Sequence, residues 1–361
     1  MDDTPARQPR ADLLALIRAA KEQPDEDTIR LVIADWLDEH GDAGDRANAA
    51  LIRLQCELAR LSDYDPRGTE LRKQEEALQE QSPWSLGDDP RLWRACSPRG
   101  WKRGLAKVEA QPARALLDVE AALTASEGYA WVDELLAVQL GADQVPRLAR
   151  SPLLEGLNKL SLFSLPIDVD GARAIASSPR LGLLRELELS HNELGPIGAY
   201  AFAERLNLPR LQTLRITSNG FNAETAEAFA AEPAISRIAV LGLGNNALGE
   251  KGISALAASP HLPGLTALEL DMTDLDDAAV VALARLPRFA SLTKLTLQHN
   301  NLGATGARAL TGATSLTELD LWRNPLYDDG AAALVANSGL SRLKRLQIGN
   351  TRLGEAGARA L

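Results

Sequence analysis

The sequence predicts an α/β solenoid, with short parallel strands on a concave face and helices on a convex face, preceded by a small all-α N-terminal domain. Three observations support this prediction. One leucine spacing recurs between residues 157 and 361, an alanine-rich helical stretch follows each copy, and amphipathic helical patterns fill residues 11–61. Units of this kind stack in a row because none of them can bury its apolar face alone.

The leucine spacing L-x-x-L-x-L-x-x-N-x-L is complete at two places, which begin at Leu184 and Leu292. Looser copies start at Leu157, Leu211, Ile238, Leu265, Leu316 and Leu343, which gives eight repeats. Adjacent starts are 27 residues apart, except that 24 residues separate Leu292 from Leu316. Alternate side chains of a strand face the same way, so the leucines of each copy bury one face and leave the other exposed.

A polar residue is expected to close the turn after each strand. Asparagine stands there in five repeats, at Asn192, Asn219, Asn246, Asn300 and Asn324. A buried amide can satisfy the backbone groups that are freed where a strand ends. The other three repeats have Leu165, Thr273 and Thr351. Threonine still offers a hydroxyl, but leucine offers no polar group, so we expect the turn at Leu165 to be built differently.

Two kinds of loop alternate before the predicted outer helices. The repeats that start at residues 184, 238, 292 and 343 continue as Leu-Gly-x-x-Gly. The intervening repeats have Asp or Asn instead, at Asp168, Asn222, Asp276 and Asp328. We expect glycine to provide tight turns with positive φ, and Asp or Asn to cap the outer helices.

This alternation, over residues 157–361, resembles the ribonuclease-inhibitor type of leucine-rich repeat. The resemblance implies a horseshoe that binds a ligand on its concave face. It does not identify the ligand, because that type of repeat occurs in nuclease inhibitors, activators of small GTPases and immune-receptor sensor domains.

The N-terminal region is predicted to form three helices, and the third has an apolar stripe at Ala47, Leu51, Leu54, Leu58 and Leu61. Residues 30–42 (RLVIADWLDEHGD), Arg46 and residues 52–55 (IRLQ) resemble the repeat-companion domain that precedes leucine-rich repeats in large bacterial paralogue families. Asn48 and Ala49 stand where that family has a Glu-aromatic pair. The resemblance implies a bacterial protein and bears on architecture more than on function.

Asp35 and Trp36 within this region have two interpretations. In the first, Trp36 lies in the helical core and Asp35 caps a helix or pairs with Arg30 or Arg46. In the second, the two residues form a docking patch for a partner.

The expected domains are a helical companion domain (residues 1–62), a connector (63–99), an N-terminal cap or degenerate repeat (100–156) and eight repeats (157–361). The connector is predicted to contain a charged helix near residues 70–81. In the cap, residues 100–108 are strand-like and residues 112–123 are helical.

Composition excludes several classes of protein. The 361-residue chain is 45% hydrophobic, and we find no apolar run long enough to span a membrane. The acidic start and the short apolar run before Arg18 do not fit a secretory signal, and Cys56 and Cys96 do not suggest a disulfide framework. We therefore expect a cytoplasmic protein. A net charge of −10 argues against binding to nucleic acid.

The sequence lacks the motifs of metalloproteases, serine hydrolases and phosphate-binding loops. We expect no catalytic residue, no cofactor and no metal, and hence no enzyme. An enzyme activity in the N-terminal region is the weakest alternative.

The repeat register predicts which side chains line the concave face. The position after the last leucine of each strand is occupied by Phe163, Ser190, Thr217, Gly244, Asp271, Gln298, Trp322 and Gly349. Exposed tryptophan is enriched at interaction hot spots, so Trp322 is the leading candidate, although it could instead cover a neighbouring leucine. Polar residues surround it at Glu318, Asp320, Arg323, Arg345, Gln298 and His299. Phe163 either binds the partner or packs against the N-terminal cap.

The leading functional hypothesis is a scaffold or sensor that binds a protein partner through the concave face. The alternative is a regulator of another enzyme, as a GTPase-activating or inhibitor-like module. Leu346 and Ile348 in the last repeat have no covering segment in the sequence, so weak self-association through this end is expected, unless the end is truncated or tolerated as it is.

Overall fold

The computed structural model describes residues 10–62, 65–81, 90–286, 289–336 and 338–360. The chain divides into two compact units. The first consists of Met1–Leu140, Arg150–Ser161 and Arg180–Leu184, and the second of Gly141–Ala149, Leu162–Pro179 and Arg185–Leu361.

Helices open the first unit. They are α1 (Ala11–Glu22), α2 (Asp27–His40), α3 (Ala43–Arg60), α4 (Arg67–Gln81) and α5 (Pro90–Ala95). The three predicted amphipathic helices are thus present, and the charged helix of the connector is α4. Helix α3 begins with a capping box in which Asp42 and Asp45 each accept a hydrogen bond from the other's backbone N–H. Leu13, Ile33 and Ile52 are buried on α1, α2 and α3.

The prediction that Asp35 pairs with Arg30 or Arg46 is wrong. Its carboxylate pairs with Arg53 at 2.6 Å. Arg30 is buried and donates to the Glu26 carbonyl at 2.7 Å, and Arg46 donates to the Gly41 carbonyl at 3.1 Å. Trp36 is half-buried and stacks on His40, with ring centroids 4.9 Å apart. The indole therefore lies at the margin of the helical core.

The same unit contains β1 (Ser97–Lys102), β2 (Leu105–Ala110), β3 (Val132–Ala137) and β4 (Lys159–Ser161), with the short helices α6 (Arg114–Asp118), α7 (Glu120–Thr124) and α8 (Glu127–Ala130). Instead of one strand over residues 100–108, β1 and β2 form an antiparallel hairpin. β2 pairs with β3 and β3 with β4 in parallel. Lys107 pairs with Glu134, 27 positions later, so the repeat spacing already begins before Leu157.

The second unit repeats strand and helix. Its strands are β5 (Glu186–Glu188), β6 (Thr213–Arg215), β7 (Val240–Gly242), β8 (Ala267–Glu269), β9 (Lys294–Thr296), β10 (Glu318–Asp320) and β11 (Arg345–Gln347). They pair in parallel in chain order, and the central leucine of each strand pairs with that of the next, as Leu187 does with Leu214. The expected alternation of parallel strands and helices, after N-terminal helices, is confirmed.

The helices of this unit are α9 (Val145–Arg150), α10 (Val169–Ala176), α11 (Gly195–Arg205), α12 (Ala223–Ala231), α13 (Gly249–Ala258), α14 (Asp277–Leu283), α15 (Ala304–Ala309), α16 (Tyr327–Val335) and α17 (Glu355–Ala360). From α10 onward, successive helices pack against one another, and so do successive strands. The leucines of the repeat spacing are buried in the first seven repeats, whereas Leu346 of the last repeat is 38% exposed. In the repeat of 24 residues, Leu295 still pairs with Leu319 and α15 has only six residues, so the shortening falls outside the strand.

The turns confirm the roles expected of the polar residues. Asn246 is buried; its Oδ1 accepts from the backbone N–H groups of Asn219 and Phe221, and its Nδ2 donates to the Ile216 and Leu243 carbonyls. The Thr273 hydroxyl donates to the Leu270 carbonyl at 2.7 Å. At the first repeat Leu165 is buried, and its N–H is bound by the Asn192 side chain of the next repeat. This turn is therefore built differently, as expected.

The loops before the helices follow the prediction only in part. Asp168, Asn222 and Asp276 cap α10, α12 and α14 by accepting from the backbone three residues later. Gly195 and Gly249 have positive φ, but Gly303 has a φ of −110°. Asp328 does not cap α16; it accepts from Gly354 and Gly357 of the following repeat.

Within the described part of the chain, no helix is long and apolar enough to cross a membrane. Cys56 and Cys96 are both buried and form no disulfide.

Candidate functional site

The candidate site lies on a face of the second unit that we call the strand face. It consists of the side chains of β5–β11 that flank the buried leucines, together with the first residues that follow each strand. In β5, β6 and β9 the central leucine is buried and the residues on either side are half-exposed. Because side chains alternate between the two faces of a strand, the residues that flank the buried leucines lie on the same side of the sheet in successive strands.

A chain of ion pairs crosses the strand face. Arg215 binds Glu186 at 3.0 Å and Glu269 at 3.0 Å, and Lys294 binds Glu269 at 2.8 Å. The strand between Arg215 and Glu269 carries Gly242, where an added Cβ would lie only 3.0 Å from each of the two side chains. Glycine at this position therefore lets the pair form across an intervening strand. Sequence reasoning missed this network, although Arg215 and Glu269 occupy equivalent places in their strands, as do Glu186 and Lys294.

Burial and charge act in opposite directions on the carboxylates of this face. Burial raises the pKa of Glu269, but the hydrogen bonds from Lys294 and Arg215 outweigh it, so the pKa lies below its usual value. Burial raises the pKa of Asp271, and the bonds from the Gln298 N–H and the Thr296 hydroxyl offset this only in part. The cationic partners thus keep Glu269 ionised, whereas Asp271 accepts its hydrogen bonds from two neutral groups.

A groove of about 450 Å³ continues across β8–β11. Four of the predicted site residues line it, namely Gln298, Glu318, Asp320 and Arg345. Gln298 donates to Asp320 at 2.6 Å, and Asp320 also accepts from the Trp322 N–H at 3.0 Å. Arg345 pairs with Glu318. Most of the predicted polar residues are therefore bound to one another.

Trp322 lies at the centre of an aromatic and cationic group. Its ring meets that of His299 edge to face, with centroids 4.8 Å apart, and the Arg323 guanidinium lies 4.3 Å from the ring centroid. An added Cβ at Gly349 would lie 2.8 Å from Trp322 Cδ1, so the indole rests directly on that backbone. The side chain remains half-exposed. The glycine fixes the orientation of the ring while leaving part of its surface accessible.

Phe163 is not brought into this group. It is in the first repeat, whereas Trp322 is in the seventh. Its ring lies 5.0 Å from that of His191, and 45% of its surface is exposed. Phe163 and His191 thus form a separate aromatic contact between neighbouring repeats, with their rings inclined at 58°.

Two residues beside Trp322 were missed by sequence reasoning. Tyr327 is 49% exposed, and its hydroxyl accepts a hydrogen bond from Arg352 at 2.7 Å. Its backbone has a φ of +52°. Aligning the repeats by their first leucine would have found it, because Tyr327 stands where four other repeats have Gly195, Gly249, Gly303 and Gly354.

The chemistry of these groups is that of binding. Among the described residues, no group of three or more His, Cys, Asp or Glu side chains could hold a metal ion. The strand face and its margin offer charged hydrogen-bond donors and acceptors beside exposed aromatic rings, the combination found at protein interfaces.

Comparison with known proteins gives a match to one sequence family. The family model described as Leucine Rich repeat matches residues 183–203, 290–310 and 312–335. No curated protein matches the chain.

Solved structures with similar folds include two internalins of Listeria monocytogenes. The internalin inlF is 20% identical with a TM-score of 0.39, over 61% of this chain and 62% of its own, so the match spans less than two thirds of inlF. The internalin C2 is 19% identical with a TM-score of 0.42, over 59% of this chain and 84% of its own.

A third similar structure is that of the Rad7 and Elc1 complex in yeast, with 17% identity and a TM-score of 0.44 over 91% of this chain and 81% of the other. The family match falls on repeats that the strand register defines independently. The chain is therefore built from leucine-rich repeats and has the leucine-rich-repeat fold.

Proposed function

We propose that this protein is an interaction scaffold or sensor that binds a protein partner through the strand face, which we take to be the concave face of the repeats. The observation that carries the proposal is the half-exposed Trp322, held against Gly349 and flanked by His299 and Arg323. Tryptophan and arginine dominate the energetics of protein interfaces when they occupy fixed positions. The remaining predicted contacts are Glu318, Asp320, Gln298, Arg345 and Phe163.

The charged groups around Trp322 support a role of the strand face in selecting the partner. Asp320 and Glu318 are already bound to Gln298 and Arg345, so a partner meets ordered side chains. Ordered groups lose less conformational entropy on binding than mobile ones.

The experiment is affinity capture with the immobilised full chain, followed by identification of the bound proteins. The test variant is Trp322→Ala combined with Arg345→Ala. Tyr200→Ala is the matched control, because Tyr200 is an exposed aromatic residue on α11. We expect the test variant to retain at most about one tenth of the specific partner that the wild type and the control retain. Equal retention by all three proteins would overturn the assignment of the strand face.

An alternative within the same framework is that the partner is an enzyme that the repeats activate or inhibit. Adding the purified protein to the captured enzyme and measuring its turnover distinguishes regulation from scaffolding.

We further propose that the repeats are of the ribonuclease-inhibitor type and that residues 1–62 form a bacterial repeat-companion domain, with the connector and cap over 63–99 and 100–156. The support is the alternation of loop types and the sequence of residues 30–42. A cytoplasmic location is supported by the two unpaired cysteines. Weak self-association at the last repeat is supported by Leu346, which is 38% exposed.

A further inference from the structure

An open cavity of about 530 Å³ lies beside the Trp322 group, where the turns of three successive repeats meet. We call it the edge cavity and define it by Asn301, Arg323, Pro325, Tyr327, Asn350 and Arg352. A cavity of this volume is large enough for several side chains of a ligand.

The edge cavity differs from the strand face in its charge. On the strand face, Arg215 and Arg345 are each bound to a glutamate. Among the described residues, neither Arg323 nor Arg352 pairs with a carboxylate, and no acidic residue lines the cavity. Two unneutralised guanidinium groups therefore face one space in a protein whose net charge is −10.

The two guanidinium groups are held in place by aromatic rings. Arg323 lies over the Trp322 ring, with 4.3 Å from its Cζ to the ring centroid, and its Nη1 is 3.4 Å from His299 Nε2. Arg352 donates to the Tyr327 hydroxyl, and its Cζ is 5.7 Å from that ring. These contacts use only some of the five N–H donors of each guanidinium, so donors remain for an anionic ligand.

Tyr327 supplies an independent sign that this edge is adapted for binding. It has left-handed backbone, with φ of +52°, at the position where Gly195 and Gly249 have φ of +63° and +54°. A bulky side chain is unfavourable in that conformation, and glycine is not. The repeat thus carries an exposed aromatic ring at the expense of backbone strain, a pattern that occurs at ligand-binding sites.

We propose that the edge cavity binds an acidic segment of a protein partner, with Asp or Glu carboxylates accepting hydrogen bonds from Arg323 and Arg352. The side-chain amides of Asn301 and Asn350 line the same space and offer neutral donors. The Tyr327 and Trp322 rings contact the apolar parts of the segment. Arg323 belongs to both the edge cavity and the Trp322 group, so this inference rests on the proposed function and names the chemistry of the partner.

A protein segment fits better than an isolated anion for two reasons. The cavity is larger than one phosphate group requires, and exposed aromatic rings adjoin both arginines. Carboxylates match guanidinium groups in planar, bidentate geometry.

The test selects ligands without assuming their sequence. A phage library of random dodecapeptides is selected on the immobilised full chain, with soluble Arg352→Ala protein as competitor. The enriched sequences are synthesised in three forms: unchanged, with each Asp and Glu replaced by its amide, and with a phosphoserine in place of one acidic residue. Their affinities are measured by fluorescence anisotropy.

We expect enriched peptides with two or more acidic residues, and binding at least ten times weaker for the amide form. Arg323→Ala and Arg352→Ala each weaken binding at least tenfold. Arg308→Ala, an exposed arginine of α15, leaves it unchanged. Tyr327→Gly weakens binding without lowering the melting temperature, which a merely structural role for Tyr327 would not produce.

Absence of enrichment, enrichment of peptides without acidic residues, or binding by the phosphoserine form alone overturns the inference. Its failure is separable from that of the proposed function. If partner capture requires Trp322 but Arg352→Ala leaves peptide binding unchanged, only the proposal for the edge cavity is wrong. If peptides bind through Arg352 but capture does not need Trp322, only the strand-face assignment is wrong.

Discussion

The carboxylate of Asp277 accepts a hydrogen bond from the backbone N–H of Gly306, 2.8 Å away and in the following repeat. The same oxygen accepts from the Gly303 N–H at 2.7 Å. Asp277 is the first residue of α14, yet it caps α15. Asp328 and Gly357 repeat this arrangement at 2.9 Å. In both cases a Leu-Gly-x-x-Gly loop receives its cap from the preceding repeat, which couples neighbouring repeats through a charged hydrogen bond.

We predict that Asp277→Ala lowers the free energy of unfolding by about 1 to 2 kcal/mol, the usual effect of removing a helix cap. Asp277→Asn retains an acceptor oxygen and should lose less than half as much. Urea denaturation of the full chain gives both values. Glu227→Ala, in the middle of α12 and exposed, is the control. If Asp277→Ala is no more destabilising than this control, the carboxylate does not couple the two repeats.

The sequence was sufficient to predict the repeat architecture because the buried positions of each strand accept few residue types. It did not predict β3, because Val132 and Ala137 take the places that Leu157 and Leu162 hold in the next repeat, and the leucine spacing is lost there. The pairing of Leu135 with Leu160 nevertheless preserves the strand register. A strand can therefore continue the stack when its neighbours supply the packing.

The candidate site was predicted less completely, because its geometry depends on contacts between repeats. Trp322, Arg323 and His299 follow from the register, but the pair of Arg215 and Glu269 requires the small residue at Gly242 between them. The left-handed residues at the strand ends were also missed. His191, Met272 and Arg323 all have φ between +53° and +61°, yet none of them is glycine, so their residue types carry no signal of the conformation.

A second prediction concerns the asparagines at the turns. Asn246→Ala removes two acceptor contacts, to the N–H groups of Asn219 and Phe221, and three donor contacts, to the carbonyls of Ile216, Leu243 and Gly244. Leaving buried polar groups unpaired is more costly than losing a solvent-exposed bond, so we expect a loss of roughly 2 to 4 kcal/mol in the free energy of unfolding.

Threonine at the same position should restore part of this loss, because the Thr273 hydroxyl makes one of the equivalent bonds. Asn301→Ala, at an exposed position nearby, is the control and should change stability by less than about 0.5 kcal/mol. Denaturant titrations of the three variants check the order. A loss for Asn246→Ala as small as that for Asn301→Ala would contradict the role assigned to the buried amide.

The third prediction concerns pH and the buried Lys21 of the first unit. Its ammonium group donates to the Val132 carbonyl, and the residue is only 5% exposed. Burial lowers its pKa to about 8, and the nearby Asp133 carboxylate offsets this only in part. Between pH 8 and the ordinary lysine value near 10.5, the unfolded chain therefore binds more protons at this residue than the folded chain does.

Because the unfolded state holds the extra proton, the contribution of Lys21 to stability increases as pH rises through this window and is lost as pH falls toward 8. The full difference is on the order of 3 kcal/mol. Lys21→Met removes the titration, so the difference in unfolding free energy between wild type and variant should shift in favour of the wild type from pH 7.5 to pH 10. Lys107→Met, an exposed lysine of β2, should show no such trend. Parallel pH profiles for wild type and Lys21→Met would mean that the ammonium group is solvated in the folded protein.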